Sequence, residues 1–146
     1  TTGNSKLNFN HPVKELIWVV DDLTNGTLAA VATDTTTYKL QLNGHDRFKA
    51  RNFRYFTRAQ VWQYHTGCGG LAAVDKTNGK LNDGIAVYSF ALKPEEHQPS
   101  GTCNFSRIDD ARIVVGGATS SATKIYAVNY NVLRIMSGMG GLAYSN

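Results

Sequence analysis

The sequence predicts an all-β protein, a sandwich or barrel of about eight short strands. Three observations carry that prediction. Short runs rich in β-branched and aromatic residues recur along the chain, as in VKELIWVV (13–20), YKLQL (38–42) and IAVYSFAL (85–92). Turn pairs such as Asn25-Gly26, Asn43-Gly44, Asn78-Gly79 and Asp83-Gly84 punctuate them. Helical periodicity is scarce.

The elements follow in order. Residues 1–10 are polar and read as a linker or arm, which leaves 11–146 as a single domain. Residues 13–20 form the first strand, and His11-Pro12 sets its start, since proline is tolerated at a strand's first residue. DDLTNG (21–26) is a turn, and 28–33 reads as a short strand leading into a Thr-rich connection through Thr37. In 38–42, Tyr38, Leu40 and Leu42 alternate with Lys39 and Gln41, the pattern of a half-buried strand. Phe53 and Phe56, three apart, predict a short helix over 52–57, whereas QVWQY (60–64) reads as extended. The stretch 67–84 holds five glycines and two turn pairs, predicting a long loop with a short hairpin.

Residues 85–92 are apolar on both alternating faces, interrupted only by Ser89. Such a run predicts an interior strand of a sheet covered on both sides, with Tyr88 or Phe90 in the core. Pro94 and Pro99 suit no central strand, so 93–101, ending in Ser100-Gly101, is an exposed corner. A strand restarts over 102–108, and 112–115 extends or follows it before a flexible turn at 116–121. Residues 124–136 form the longest predicted strand. Tyr126, Val128, Tyr130 and Val132 make one apolar face, then Leu133 and Ile135 change the phase. A change of phase implies a bulge or a move between environments.

At 146 residues, one domain is the natural count. A chain of this length buries roughly 68–70% of its unfolded surface and needs neither disulfide nor metal to fold. Its 42% hydrophobic and 18% charged residues argue against disorder. Cys68 and Cys103 make no disulfide framework or zinc pattern, so free thiols are expected. No apolar run approaches the ~20 residues of a membrane helix, and TTGNSKLNFN is no signal peptide, so either the protein is made and assembled in the cytosol or the fragment has lost its leader.

The net charge is +4, and it is concentrated. Arg47, Lys49, Arg51, Arg54 and Arg58 fall in a segment without acidic residues, interleaved with Phe48, Phe53, Tyr55 and Phe56. Basic residues among aromatics can track a nucleic-acid backbone and stack bases. The favoured reading is that the rings anchor the segment while the arginines line a subunit contact or a solvated edge.

Four segments carry a family resemblance. YSFALKPEEHQPSGTCNFSRID, together with HPVKELIWVV, LQLNGHDRF with its following YF, and YAVNYNVLRIMSGMGGLAYSN, resembles the major capsid proteins of large eukaryotic double-stranded DNA viruses, the chlorella-virus, iridovirus and mimivirus group. The departure is 67–84, which looks longer or more divergent than the usual link. The resemblance implies an eight-stranded jelly roll, the second of a tandem pair, with an amino-terminal jelly roll of the same subunit lying outside this chain. It marks Pro94, Pro99, Ser100, Gly101, Asn104, Ser106 and Arg107 as the signature corner and strand. It implies homotrimers forming pseudo-hexagonal capsomers of an icosahedral shell, contacts with neighbouring capsomers and minor capsid proteins, and residence in the virion after assembly in the host cytoplasm. No cofactor, nucleic acid or membrane insertion is implied.

No motif for chemistry stands against this. Gly138-Met139-Gly140-Gly141-Leu142-Ala143 fits a loose dinucleotide pattern, but too few residues follow for the helix that would meet a pyrophosphate. His65 and Cys68 as base and nucleophile would sit on a glycine-rich loop, a poor platform. His11, His45, His65 and His97 lack metal-ligand spacing, and His45-Asp46 reads as turn polarity. Glu95 and Glu96 are adjacent on the corner and diverge, unlike a facing glycosidase pair. Asn25 and Asn104 head glycosylation sequons, with Asn25, in a turn, the more plausible acceptor. The competing class is a β-sandwich module binding carbohydrate or another ligand, which would show a concave face lined by Trp or Tyr. Trp18 and Trp62 lie in strand-like runs, which predicts burial instead.

Overall fold

Eleven residues, Pro12–Asp22, form the strand on which half of the molecule is hung. The computed structural model describes residues 4–22, 27–29, 35–67, 69, 72–74, 81–117 and 123–144. In chain order the strands are β1 (Asn4–Lys6), β2 (Pro12–Asp22), β3 (Thr27–Ala29), β4 (Thr37–Leu42), β5 (His45–Asp46), β6 (Arg51–Asn52) and β7 (Ala72–Val74). They continue with β8 (Leu81–Asp83), β9 (Ile85–Ser89), β10 (Cys103–Asn104), β11 (Ala111–Gly116), β12 (Thr123–Asn129), β13 (Leu133–Met136) and β14 (Met139–Leu142). There are more pieces than the eight strands expected, because several are two- or three-residue segments laid end to end.

Two antiparallel sheets face each other. In the first, β11 lies between β1 and β4, and β5 and β6 share the other flank of β4. In the second, β12 runs along one flank of β2 while β10, β9 and β3 follow one another along the opposite flank. Val13, Leu16 and Trp18 of β2 and Ala86 of β9 meet Tyr38 and Leu40 of β4 and Ala111 and Ile113 of β11 in one core. The alternation of Tyr38 and Leu40 read from the sequence is the alternation found. At the centre, Trp18, Tyr38 and Phe56 pack with ring centroids 5.2 to 5.9 Å apart. The cavity beside them, lined by Leu16, Trp18, Tyr38, Phe48 and Tyr88, measures about 10 Å³, room for one water at most.

Several sequence expectations change, each for a local reason. Part of the stretch expected as a linker or arm is a strand: Asn4–Lys6 pairs with β11, and Leu7 behind it is buried in the core. QVWQY is helical. A π-helical turn, Tyr55–Ala59, runs into α1 (Gln60–Tyr64), neither held by a side-chain cap nor by acidic residues at its start. Tertiary contacts hold it instead, since Phe56, Thr57 and Gln60 are all buried. Trp62 consequently faces outward and is exposed rather than buried.

The run 85–92 stops at its one polar residue. The Ser89 hydroxyl donates to the Ala91 carbonyl and accepts from its amide, and Phe90 and Ala91 both donate to the Lys14 carbonyl. This bends the chain off the sheet, leaving Leu92 exposed. Among the described residues, β9 is therefore not flanked by strands on both sides. Among the described residues its strand partner is β2, and the helix covers its other edge, where Gln60 accepts from the Ser89 amide at 3.1 Å. Tyr88 and Phe90 pack against the core while remaining half-buried.

The strand expected over 102–108 shortens to Cys103–Asn104, because the Asn104 side chain accepts from the Ser106 amide and starts a 3₁₀ turn, Phe105–Arg107. The long strand of 124–136 breaks. β12 shifts register between Val128 and Asn129, the chain leaves β2, and β13 and β14 form a separate hairpin. Its core-facing side is also the reverse of that expected. Cross-strand partners share a face, so Ile125 and Ala127, paired with Trp18 and Leu16, turn inward, while Tyr126 is exposed. The hairpin expected within 67–84 is present as β7 and β8.

Candidate functional site

The signature stretch folds into a brace. Pro94 is fully buried, and the Lys93 amide donates to the Ser100 hydroxyl at 2.8 Å, closing the corner. Gly101 has a φ of +140°, and a Cβ there would stand 2.9 Å from the Phe90 carbonyl oxygen. No other residue fits that position. Ser106 accepts from the His11 amide at 2.9 Å, and the Phe105 amide donates to the His11 carbonyl. His11 itself holds a φ of +67° just before β2 begins. The corner, the 3₁₀ turn and the entry to β2 are thus one hydrogen-bonded unit. Pro99 and Arg107 lie exposed on its surface.

A histidine bracketed by two carboxylates locks this unit to the helix. His65 Nε2 lies 2.8 Å from the Glu15 Oε2 of β2, and Nδ1 lies 3.1 Å from the Glu95 Oε1 of the corner. Glu15 is buried; Glu95 also accepts from the Thr66 amide and hydroxyl. On sequence alone His65 is disfavoured both as a base for Cys68 and as a metal ligand, and Cys68 lies outside the described residues. No spacing rule links positions so far apart, so the bracket left no signal in the sequence. Glu96 turns away to Lys93, so the two adjacent glutamates diverge as expected.

The bracket gives an acid-sensitive prediction. The Thr66 amide, joined by its hydroxyl and by His65, holds the Glu95 carboxyl below the usual carboxylate range. A lowered folded-state value means that the stabilisation is present above the unfolded value and is lost as pH falls through the folded one. The Thr66 amide resonance is expected to titrate at a pH below that of an ordinary glutamate, and Glu95→Gln to abolish that step. A Thr66 resonance indifferent to acid in the parent protein would contradict the latch.

The basic segment is less available than its sequence suggests. Arg58 is committed to Asp83, with Nε 3.0 Å and Nη2 3.2 Å from its two carboxylate oxygens. Arg51 lies over the Tyr55 ring at 4.5 Å and Arg54 over Phe53 at 5.6 Å. Phe53 and Phe56 are buried and Phe48 packs against the core, which removes three of the four rings a nucleic acid would stack on. Arg47, Lys49, Arg51 and Arg54 remain exposed, a basic surface without a stacking platform.

Burial pushes the Tyr38 hydroxyl up to about 12 and also raises Tyr88 and the Cys103 thiol. A thiol raised by burial is a poor nucleophile. Cys103 is free, and among the described residues no cluster of His, Cys, Asp or Glu could hold a metal. No helix among them is long and apolar enough to cross a membrane. Asn25 lies outside the described residues, whereas Asn104 is exposed but engaged in its turn. Exposed aromatic rings occur on three separate elements, Trp62 on α1, Tyr126 on β12 and Tyr144 after β14, rather than along one strand face.

The comparisons with known proteins agree with this braced sandwich. The family model of the large eukaryotic DNA virus major capsid protein matches residues 1–141. The chain is 54% identical to the major capsid protein of Pyramimonas orientalis virus, over 97% of this chain and 38% of that protein. It is 40% identical to the major capsid protein of Paramecium bursaria Chlorella virus 1, over 98% of this chain and 43% of that one. A crystal structure of PBCV-1 VP54, fitted into a cryo-EM reconstruction of the virophage Sputnik, matches all of this chain with a TM-score of 0.74 and 38% identity, over 47% of its own length. A quasi-atomic model of the PBCV-1 capsid matches 98% of the chain at the same TM-score, with 36% identity. The chain therefore spans less than half the length of these relatives. With the jelly-roll fold matched from end to end and the signature corner serving as its brace, the chain belongs to the family of large eukaryotic DNA virus major capsid proteins.

Proposed function

We propose that this chain supplies one jelly roll, the second of two, to a capsid subunit, and that three such subunits form a pseudo-hexagonal capsomer of an icosahedral virion assembled in the host cytoplasm. The observation that carries the reading is the match of the chain to the PBCV-1 capsid model. The role is mechanical rather than catalytic. Two cross-braced sheets make a stiff wall, and the exposed loops and edges supply contacts. Arg47, Arg51 and Arg54 are exposed cationic residues that would face a neighbouring subunit or a minor capsid protein, whereas Arg58 pairs with Asp83 inside the domain.

The test is electron microscopy of the full-length polypeptide expressed in cytosol. Hexagonal capsomers are expected, and the double variant Arg51→Glu, Arg54→Glu is expected to give folded subunits that assemble poorly. Monodisperse subunits that never associate under any assembly condition would refute the structural role. Normal assembly of the charge-reversed variant would refute the contact assigned to the basic segment.

A further inference from the structure

The hairpin of β13 and β14 is the least explained part of the molecule. Its register pairs Leu133 with Leu142 and Ile135 with Gly140, so these four share one face. Arg134, Met136, Met139 and Gly141 share the other. Both faces are bare: Leu133, Ile135, Met136, Met139 and Leu142 are each more than half exposed. Two strands alone are marginally stable in water. Ser137 and Gly138 both hold positive φ, the geometry of a tight hairpin turn, so the shape is set before anything covers it.

The glycines sharpen the point. A Cβ at Gly141 would meet nothing within 4 Å, and one at Gly140 would make only ordinary contact with Ile135 and Leu133. Neither has a positive φ, so neither the backbone nor the packing of this domain calls for glycine there. Bare backbone on both faces of β14 is instead what a closely approaching outside surface requires.

We infer that the hairpin is a tongue gripped on both faces by the remainder of its own polypeptide, the part beyond this domain. The inference rests on the two-jelly-roll reading above. Size selects the occupant. Four residues on each of two strands offer a patch of about 14 by 10 Å per face, far below the ~800 Å² per partner of a stable intermolecular contact. A patch that small holds when its partner is tethered, because the effective concentration is then about millimolar. The relatives carry more than this chain's own length outside the matched part, enough for a domain with a cleft. Methionine, flexible and polarisable, suits the adaptable side of such a contact.

The chain carries its own probes, for Met136 and Met139 are its only methionines. Hydrogen peroxide oxidation of the full-length polypeptide, read peptide by peptide by mass spectrometry, is compared in three states: unfolded in urea, monomeric by sedimentation, and assembled. Oxidation follows exposure, and both sulfurs are expected to react at least about tenfold more slowly in the monomer than in urea. Gly141→Leu, which has open space within this domain, is expected to remove that protection without changing the thermal melt of the 146-residue chain. Protection that appears only on assembly would make a second copy the occupant and overturn the inference, as would fast oxidation in every state. A polypeptide that forms no capsomers would defeat the capsid reading, yet the monomer-to-urea comparison would still report on the tongue.

Discussion

Phe56→Ala is expected to destabilise the domain by about 3–5 kcal/mol, measured as a lowered urea midpoint with an unchanged slope. The side chain is fully buried and touches Trp18 at 5.2 Å, Tyr38 at 5.9 Å, Phe48 at 5.6 Å and Tyr55 at 5.1 Å between ring centroids. These rings come from both sheets and from the helical segment, so Phe56 is where three parts of the fold meet. Flat rings anchored on strands cannot collapse into the vacated space, which keeps the cavity cost high. Phe90→Ala is expected to cost distinctly less, since Phe90 is only half-buried at the edge of the same cluster. Equal losses at the two positions would place the centre of the core elsewhere.

Arg58→Met is expected to cost about 1–3 kcal/mol. The Asp83 side chain is 3% exposed and holds three donors, two from Arg58 and the Thr57 hydroxyl at 2.9 Å. Methionine keeps the stem but leaves a buried carboxylate with one partner. The Arg58 side chain is 56% exposed, so water can enter from its side, and the loss stays below the ~3–5 kcal/mol of a broken, fully buried pair. The double variant Arg58→Met, Asp83→Leu is expected to recover part of that loss, because no unpaired charge then remains. A double-mutant cycle reads the coupling directly. If Arg58→Met costs nothing measurable, the pair does not hold β8 to the helical turn.

What the sequence revealed, and what it hid, divides along physical lines. One-sided alternation identified β4, because Lys39 and Gln41 leave Tyr38 and Leu40 no ambiguity about which way to face. Prolines and Gly101 located the corner, since their backbone constraints are local. β12 was read inside out because apolar residues occupy both of its faces. The deciding fact is its register with β2, Ala127 opposite Leu16, which no local pattern contains. QVWQY became a helix because Gln60 is buried by bonds to the Ser89 amide and the Tyr55 hydroxyl, neither of which is visible in a five-residue window. The Glu15–His65–Glu95 bracket is the same lesson at the candidate site. Its members come from a strand, a helix end and a loop, and only the folded chain brings them together.

The arrangement around β2 also has a temporal side. This strand precedes its partners β3, β9, β10 and β12 in the chain, and the partner that covers most of one flank, β12, lies far downstream of it. On the ribosome, then, a strand containing Leu16, Ile17, Trp18 and Val19 emerges early and waits with one edge unpaired. Unpaired apolar edges recruit strands from other chains, and pairings this distant in sequence form slowly. Crowded nascent subunits therefore compete with β12 for the same edge. The yield of soluble protein should depend on how fast residues 123–129 arrive after β2, with slower translation of the stretch between them favouring aggregation over folding.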